Sequence, residues 1–258
     1  MWLTHVEDAP LTVTRHAAEL QGVRVQRGDV VALDDVSIAL PWERTTAVLG
    51  LSGSGKSTLV QLLIGLLRAD RGSVHVLGVE IRDEALSSLR KRIGYAIQDI
   101  ALLPHLRIRD NILLPAVLSG WEEERQAARL EELLAILHLD ISLVDRYPHE
   151  LSGGQQQRAG ICRALMLAPE LLLLDEPFSG LDTVTRRSIH AQFLEMREQI
   201  PVSTVLVTHD PEEATRLADF LCVMRGGRVQ QFGTVAEVIE TPATDYVRQL
   251  CTGLGVDT

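Results

Sequence analysis

Eight consecutive residues, Gly50-Leu51-Ser52-Gly53-Ser54-Gly55-Lys56-Ser57, restrict what this chain can fold into more than any other stretch. They satisfy the spacing G-x-x-x-x-G-K-S, and the hydrophobic period changes across them. Ahead of them residues 46–49 form a short β-branched and apolar run. Behind them Leu59, Leu62, Leu63 and Leu66 recur at i, i+3, i+4 and i+7. A strand, a glycine loop and a helix starting near Lys56 therefore follow in order. Glycines let successive backbone N–H groups converge on one anion, and the helix start adds positive potential at the same point. Lys56 can then reach the terminal phosphates of a nucleotide, and Ser57 can bind Mg2+. A flexible turn, the plain alternative, would not require the change from strand period to helix period.

With 258 residues, 46% of them hydrophobic and 23% charged, the chain can bury the core of one large domain. The formal net charge of −10 argues against a duplex-wrapping DNA binder, which needs a basic face to displace counterions, so no nucleic-acid partner is expected. Cys162, Cys222 and Cys251 are odd in number and far apart. That suggests neither a disulfide framework nor a zinc site and fits a reducing compartment. The opening MWLTHVEDAP carries Glu7 and Asp8 where a signal peptide would be cationic and then apolar. No apolar run approaches the length of about 18 that a membrane span needs. Work at a membrane is expected to go through a partner.

The period also divides the chain. Residues 1–17 read as an extension. From Leu20 short alternating strands follow, with Val23 and Val25, then Val36, Ile38 and Leu40, and later Val74, Val76 and Val79. Residues 98–167 read as a helical insertion, in which Ser119 and Glu122 suggest a capping box ahead of Leu130, Leu133, Leu134 and Leu137. Apolar runs at 171–174 and 204–207 fit parallel strands covered on both faces. Asp210, Pro211 and Glu213 read as N-cap, first-turn proline and reciprocal carboxylate, and Gly226-Gly227 as a hairpin turn. The expected fold is α/β: a nucleotide-binding core over 18–97 and 168–235 with a mainly parallel sheet, an antiparallel β subdomain towards its N-terminal side, the helical subdomain, and a tail over 236–258.

Two further motifs carry chemistry. Leu171-Leu172-Leu173-Leu174-Asp175-Glu176-Pro177 sets two carboxylates just past a buried strand, where ligands of open α/β sheets collect. Alone it is equally a strand with a solvated acidic end. Beside a phosphate loop, Asp175 reads as the group that holds Mg2+ through its water shell, and Glu176 as the base that orients and deprotonates the attacking water. Leu151-Ser152-Gly153-Gly154-Gln155 opens another helix, which by itself is a serine cap with two turn glycines. Followed by Gln156, Gln157 and Arg158, it resembles the signature motif of the ATP-binding cassette (ABC) transporter ATPases. The similarity runs from about Leu20 to Gly233 in that family's motif order.

The resemblance implies a P-loop NTPase core and an ATP and Mg2+ site shared by two head-to-tail chains. Gly50, Ser52, Gly53, Ser54, Gly55, Lys56, Ser57 and Thr58 would form the cradle. Ser152, Gly153, Gly154 and Gln155 of the second chain would cap the γ-phosphate, a role suited to a helix N-terminus. Gln98, in Tyr95-Ala96-Ile97-Gln98, resembles the family's Q-loop glutamine, which contacts Mg2+ and water at the entrance to the insertion. Ser179-Gly180-Leu181-Asp182 resembles the D-loop, with Asp182 communicating across the dimer, and His209 resembles the switch histidine at the γ-phosphate. Catalysis would then fall to Lys56, Gln98, Glu176 and His209, and the metal to Ser57, Gln98 and Asp175. One position departs from the pattern. Where the family stacks an aromatic on adenine, this chain has Arg27, whose planar guanidinium can also lie against a purine.

Residues 90–99, RKRIGYAIQD, and Leu103-Pro104-His105-Leu106 are similar to bacterial solute-importer ATPases, leaning towards those for amino acids and quaternary amines such as glycine betaine. The implied partners are transmembrane permease subunits docking near residues 101–115, an extracytoplasmic solute-binding protein and a second ATPase chain. The implied place is the cytoplasmic face of the inner membrane. Few residues follow His209, so a large appended regulatory domain is not expected. The alternatives are the ATPase of a lipid-extraction or cell-division membrane complex, a soluble ABC ATPase of DNA maintenance or translation, and a non-hydrolysing nucleotide-binding module.

Overall fold

Two sheets of different character divide the work in the computed structural model, which describes residues 15–81, 86–97 and 101–251. The first is antiparallel. It joins β1 (His16–Arg27), β2 (Val30–Pro41), β4 (Arg71–Val76) and β5 (Val79–Glu80) in the order β2-β1-β4-β5. The alternation seen from Leu20 buries Leu20, Val23, Val25, Val36, Ile38 and Leu40 on one face. The strand begins earlier than the expected extension allows, since His16 already pairs with Pro41. Only residues 1–14 of that extension lie outside the described residues.

The second sheet carries the site. β3 (Thr45–Leu49), β6 (Ile93–Ala96), β7 (Leu171–Asp175), β8 (Ser203–Thr208) and β9 (Phe220–Arg225) run parallel, and β10 (Arg228–Thr234) closes the edge as the antiparallel partner of β9. The order β10-β9-β3-β8-β7-β6 puts β3, β8 and β7 side by side. All residues of these three strands are buried, as expected for parallel strands covered on both faces. One face, through Val48, Leu173, Val205 and Val207, meets α1 (Lys56–Leu63) and the antiparallel sheet. Leu59, Leu62 and Leu63 of α1 are fully buried, each worth roughly 1.5–3 kcal/mol. Leu66, the fourth member of the expected stripe, falls beyond the helix end and is 57% exposed.

The insertion is helical, as its period implies. α2 (Leu86–Arg90) precedes β6, and α3 (Ile108–Leu118), α4 (Glu123–Ile136) and α5 (Gly153–Leu165) follow, with 3-10 turns at Ile141–Leu143 and Pro148–Glu150. The Ser119–Glu122 capping box does not form. Ser119 ends α3, its N–H donating to the carbonyls of Pro115 and Ala116, and Glu122 is the N-cap of α4 without a side-chain bond. α6 (Thr183–Gln199) and α7 (Pro211–Leu217) complete the core. The tail is structured too: α8 (Val235–Glu240) and α9 (Asp245–Cys251) bury Val238, Tyr246, Val247 and Leu250 against Ala47, Leu49, Leu221 and Val223. Among the described residues no helix is long and apolar enough to cross a membrane.

Gly94 of β6 joins the insertion to the sheet. A Cβ there would stand 2.3 Å from the carbonyl oxygen of Ala164 in α5. Gly94→Ala is expected to cost about 1–3 kcal/mol, the usual scale of overpacking. Thermal unfolding will check it; an unchanged Tm would show that α5 moves aside freely.

Candidate active site

The strand order assembles the site. Gly50 follows β3, Glu176 follows β7 and His209 follows β8, and the registers Leu49↔Thr208 and Asp175↔Val207 bring the three ends level. Beside them lies a cleft of about 680 Å³, walled by Leu51 to Thr58, by Glu176 and His209, and by Val30, Val31 and Ala32 of β2; Gly50 is not part of its wall. Of the cradle residues read from the sequence, Ser52, Gly53, Ser54, Gly55, Lys56, Ser57 and Thr58 all line it.

The loop is closely fitted at its two ends. A Cβ on Gly50 would meet the Met224 carbonyl at 2.5 Å, and one on Gly55, where φ is +103°, would meet the Ala32 carbonyl at 2.6 Å. Only glycine suits both the contact and the left-handed backbone. The hairpin at Gly226-Gly227 braces the loop from behind, the Gly227 N–H donating to the Ser54 carbonyl at 3.0 Å. Lys56 is 6% exposed, and its ammonium donates to the carbonyls of Gly50 at 2.8 Å and Leu51 at 3.1 Å. Burial pushes its pKa down, and the nearby Glu176 and Asp175 carboxylates push it partly back. The cation is thus held inside the loop that a phosphate would enter.

Asp175 is 5% exposed at the end of β7, and Ser57 Oγ lies 3.5 Å from its Oδ1. Burial holds the Asp175 carboxyl above its ordinary range against the Ser57 hydrogen bond, Glu176 adds to that rise, and Lys56 opposes it. A hydroxyl and a carboxylate side by side are hard oxygen donors of the kind Mg2+ takes in small number, with water and phosphate completing its shell. This pair therefore fits the ion.

Glu176 is turned out of the strand line by its backbone. Its φ is +46°, uncommon for a residue with a Cβ, and it is held there by its own N–H donating to the Val207 carbonyl and by the Ser179 N–H and Oγ donating to its carbonyl. Two adjacent carboxylates consequently do different things. Glu176 Oε2 lies 3.2 Å from His209 Nδ1, and His209 is 60% exposed towards solvent.

Other residues from the sequence lie elsewhere. Ser152 caps α5 in a reciprocal box with Gln155: Ser152 Oγ accepts from the Gln155 N–H at 3.4 Å and Gln155 Oε1 from the Ser152 N–H at 2.9 Å. Ser152 and Gly153 are exposed, Gly154 is buried against α6, and none of Ser152 to Gln155 lines the cleft. Asp182 is the exposed N-cap of α6, accepting from the Val184 and Thr185 N–H groups, both at 3.0 Å. Arg27 is exposed at the end of β1, next to the β1–β2 turn, and is absent from the cleft wall. Gln98 lies outside the described residues.

Sequence reasoning missed the aliphatic wall at Val30 to Ala32 and the environment of Glu213. The wall carries no motif. Glu213 does not reach back to cap α7, which Asp210 caps alone; it is 4% exposed and accepts from Thr208 Oγ1 at 2.6 Å.

Comparison with known proteins shows which family the chain resembles. The sequence profile of a family described as ABC transporter matches residues 33–179. The glycine betaine uptake system ATP-binding protein YehX of Escherichia coli strain K12 is 42% identical over 218 residues, covering 84% of this chain and 71% of that protein. The choline transport ATP-binding protein OpuBA of Bacillus subtilis strain 168 is 38% identical over 226 residues, covering 88% of this chain but only 59% of that longer protein. Among solved structures, the dimeric post-hydrolysis state of the ATP-binding cassette MJ0796 bound to ADP and Pi superposes with a TM-score of 0.75 at 28% identity, covering 84% of this chain and 98% of that one.

Proposed function

Because the chain belongs to the ABC transporter family of ATPases, we propose that it is the ATP-binding and hydrolysing subunit of an importer for a quaternary amine of the glycine betaine class. It would work as one of two head-to-tail ATPase chains on permease subunits at the cytoplasmic face of the membrane, with an extracytoplasmic binding protein presenting the solute. One observation carries the enzymatic part: a single cleft is lined by Lys56, Ser57, Glu176 and His209, with Asp175 beside Ser57, whereas the exposed Ser152 cap is not part of its wall. An open cleft and a helix start exposed elsewhere on the same chain would be the two halves of a site that a second copy completes. The dimeric state of the MJ0796 cassette supports that pairing.

Within the cleft the residues divide the reaction. Lys56 would leave its loop carbonyls for the β- and γ-phosphate oxygens. Glu176 would take one proton from a water whose oxygen bonds to the γ-phosphorus as the β–γ bridging P–O bond breaks, leaving ADP and inorganic phosphate. His209 would contact the γ-phosphate and hold Glu176 by its Nδ1. Ser57, Asp175 and Gln98 would hold Mg2+, which when bound offsets the charge gathering on the phosphate oxygens.

The base would rest on the Val30 to Ala32 wall, with Arg27 closing over it from the turn. Arg27→Tyr is therefore expected to tighten ATP about 2- to 10-fold over GTP, the scale of an added aromatic contact. Competition binding with both nucleotides reads this, and unchanged affinities for both would end the stacking role.

Membrane docking would use the helical subdomain. Between α3 and α4 lies a cavity of about 570 Å³ lined by Leu106, Leu113, Leu114, Val117 and Leu130 with Arg109 among its polar neighbours, overlapping the expected region at residues 101–115. Val117 and Leu118 beside it are 55% and 77% exposed. The test is uptake: the chain, its permease and its binding protein in proteoliposomes should accumulate labelled glycine betaine only with ATP on the cassette side. ATP-driven uptake of sulfate in place of betaine would overturn the cargo, and failure to join any permease would overturn the transport role.

A further inference from the structure

Behind His209 lies a buried polar cluster that the reaction above does not use. Thr208, the last residue of β8, is 1% exposed, and its hydroxyl makes two bonds that straddle His209: it donates to Glu213 Oε2 at 2.6 Å and accepts from the Asp210 N–H at 3.0 Å. Glu213 is 4% exposed and anchored in α7, whose first turn Asp210 caps. Thr208 is thus fixed to the carboxylate directly, and the Asp210 N–H to it only through the Thr208 hydroxyl.

The second oxygen of that carboxylate is held differently. Glu213 Oε1 stands 3.6 Å from His190 Nε2 and 3.8 Å from Arg186 Nε. Both nitrogens are buried, and neither has a hydrogen-bond partner among the described residues. Two orphaned nitrogens aimed at one oxygen from just beyond bonding distance are a costly arrangement unless a small approach can close it. Arg186 and His190 both belong to α6, which Asp182 caps, and Arg186 also donates to the Leu181 carbonyl at 3.1 Å and to Asp210 Oδ2 at 3.3 Å. A small cavity of about 80 Å³ separates the cluster from Glu176.

We propose that Glu213 is a positioning residue for His209, acting through Thr208, and that Arg186 and His190 join this position to the Leu181-Asp182 loop. An approach of α6 by a few tenths of an ångström would close both gaps on Glu213 Oε1, and the rigid Glu213–Thr208 bond would pass the shift to the base of His209. The inference rests on the reading of His209 as a γ-phosphate contact.

The test uses steady-state ATP hydrolysis by the full chain with Mg-ATP. Thr208→Val, which removes the hydroxyl at nearly constant volume, is expected to lower kcat about tenfold with KM within about twofold, the cost of a misplaced rather than a missing group. Thr208→Ser should restore kcat. Glu213→Gln, which keeps an acceptor for Thr208 but can turn an NH2 towards Arg186 and His190, should lower kcat in the same sense and serves if the valine variant does not fold. The deciding measurement is made in the His209→Ala background, by single turnover. There Thr208→Val and Glu213→Gln should add nothing, because the residue they position is gone. Losses that multiply with His209→Ala would overturn the proposal while leaving His209 its role. An unchanged rate for His209→Ala alone would remove that role, and the proposal with it.

Discussion

Glu176→Gln is expected to bind Mg-ATP, to pair, and to hydrolyse at least about 100-fold more slowly than the parent, the scale on which a general base contributes. The amide is nearly isosteric and can still meet His209, whose Nδ1 lies 3.2 Å from Oε2, so the backbone turn at φ +46° has no reason to relax. What disappears is the capacity to accept a proton. Binding should survive because the groups that grip phosphate, Lys56 and the loop N–H groups, do not pass through Glu176. Pairing should persist while ATP stays bound, since the γ-phosphate proposed to bridge the chains is no longer removed. A ligand that switches a dimer almost completely must favour the closed form by on the order of 5.5 kcal/mol, shared here by two nucleotides. Rapid steady hydrolysis by this variant would assign the base elsewhere. Weak nucleotide binding would show that Glu176 acts before the chemical step.

How much of this was legible beforehand follows from the range of each interaction. The strand, loop and helix around Lys56 are local, and the period change at Gly50 announces them. The hairpin at Gly226-Gly227 and the caps at Ser152, Asp182 and Asp210 are local too, and all four form. The neighbourhood of β3, β8 and β7 is not local: nothing within any one run of apolar residues says which run it will pair with. The adjacent carboxylates of Asp175 and Glu176 are legible in the sequence, but the left-handed turn at Glu176 depends on Val207, a residue of another strand. Glu213 misled for the same reason. Its spacing from Asp210 suits a capping carboxylate, and only the burial of Thr208 beside it recruits it elsewhere. α8 carried a signal that went unread, since Thr234 and Glu237 form the reciprocal cap that starts it.

A mixing experiment separates a shared site from a self-contained one. Lys56→Ala should abolish the cradle, because among the described residues no other side chain puts a cation at the Gly50 and Leu51 carbonyls, and Ser152→Arg should abolish the lid by placing a long side chain at the exposed start of α5. Each variant alone is expected to lose 100-fold or more in hydrolysis, the scale for groups that position or stabilise transferring phosphate. Mixed in equal amounts, half of the dimers will contain one chain of each kind. In such a dimer one site combines both defects, and the other combines the intact Lys56 of one chain with the intact Ser152 of its partner. A twofold dimer with head-to-tail sites should therefore regain about a quarter of the parental rate if the two sites fire independently. Sites confined to single chains give a different outcome, because every site then carries a defect and mixing inactive proteins leaves them inactive. The recovered rate should also fall on dilution, as pairing is lost, whereas a self-contained site has no reason to respond to concentration.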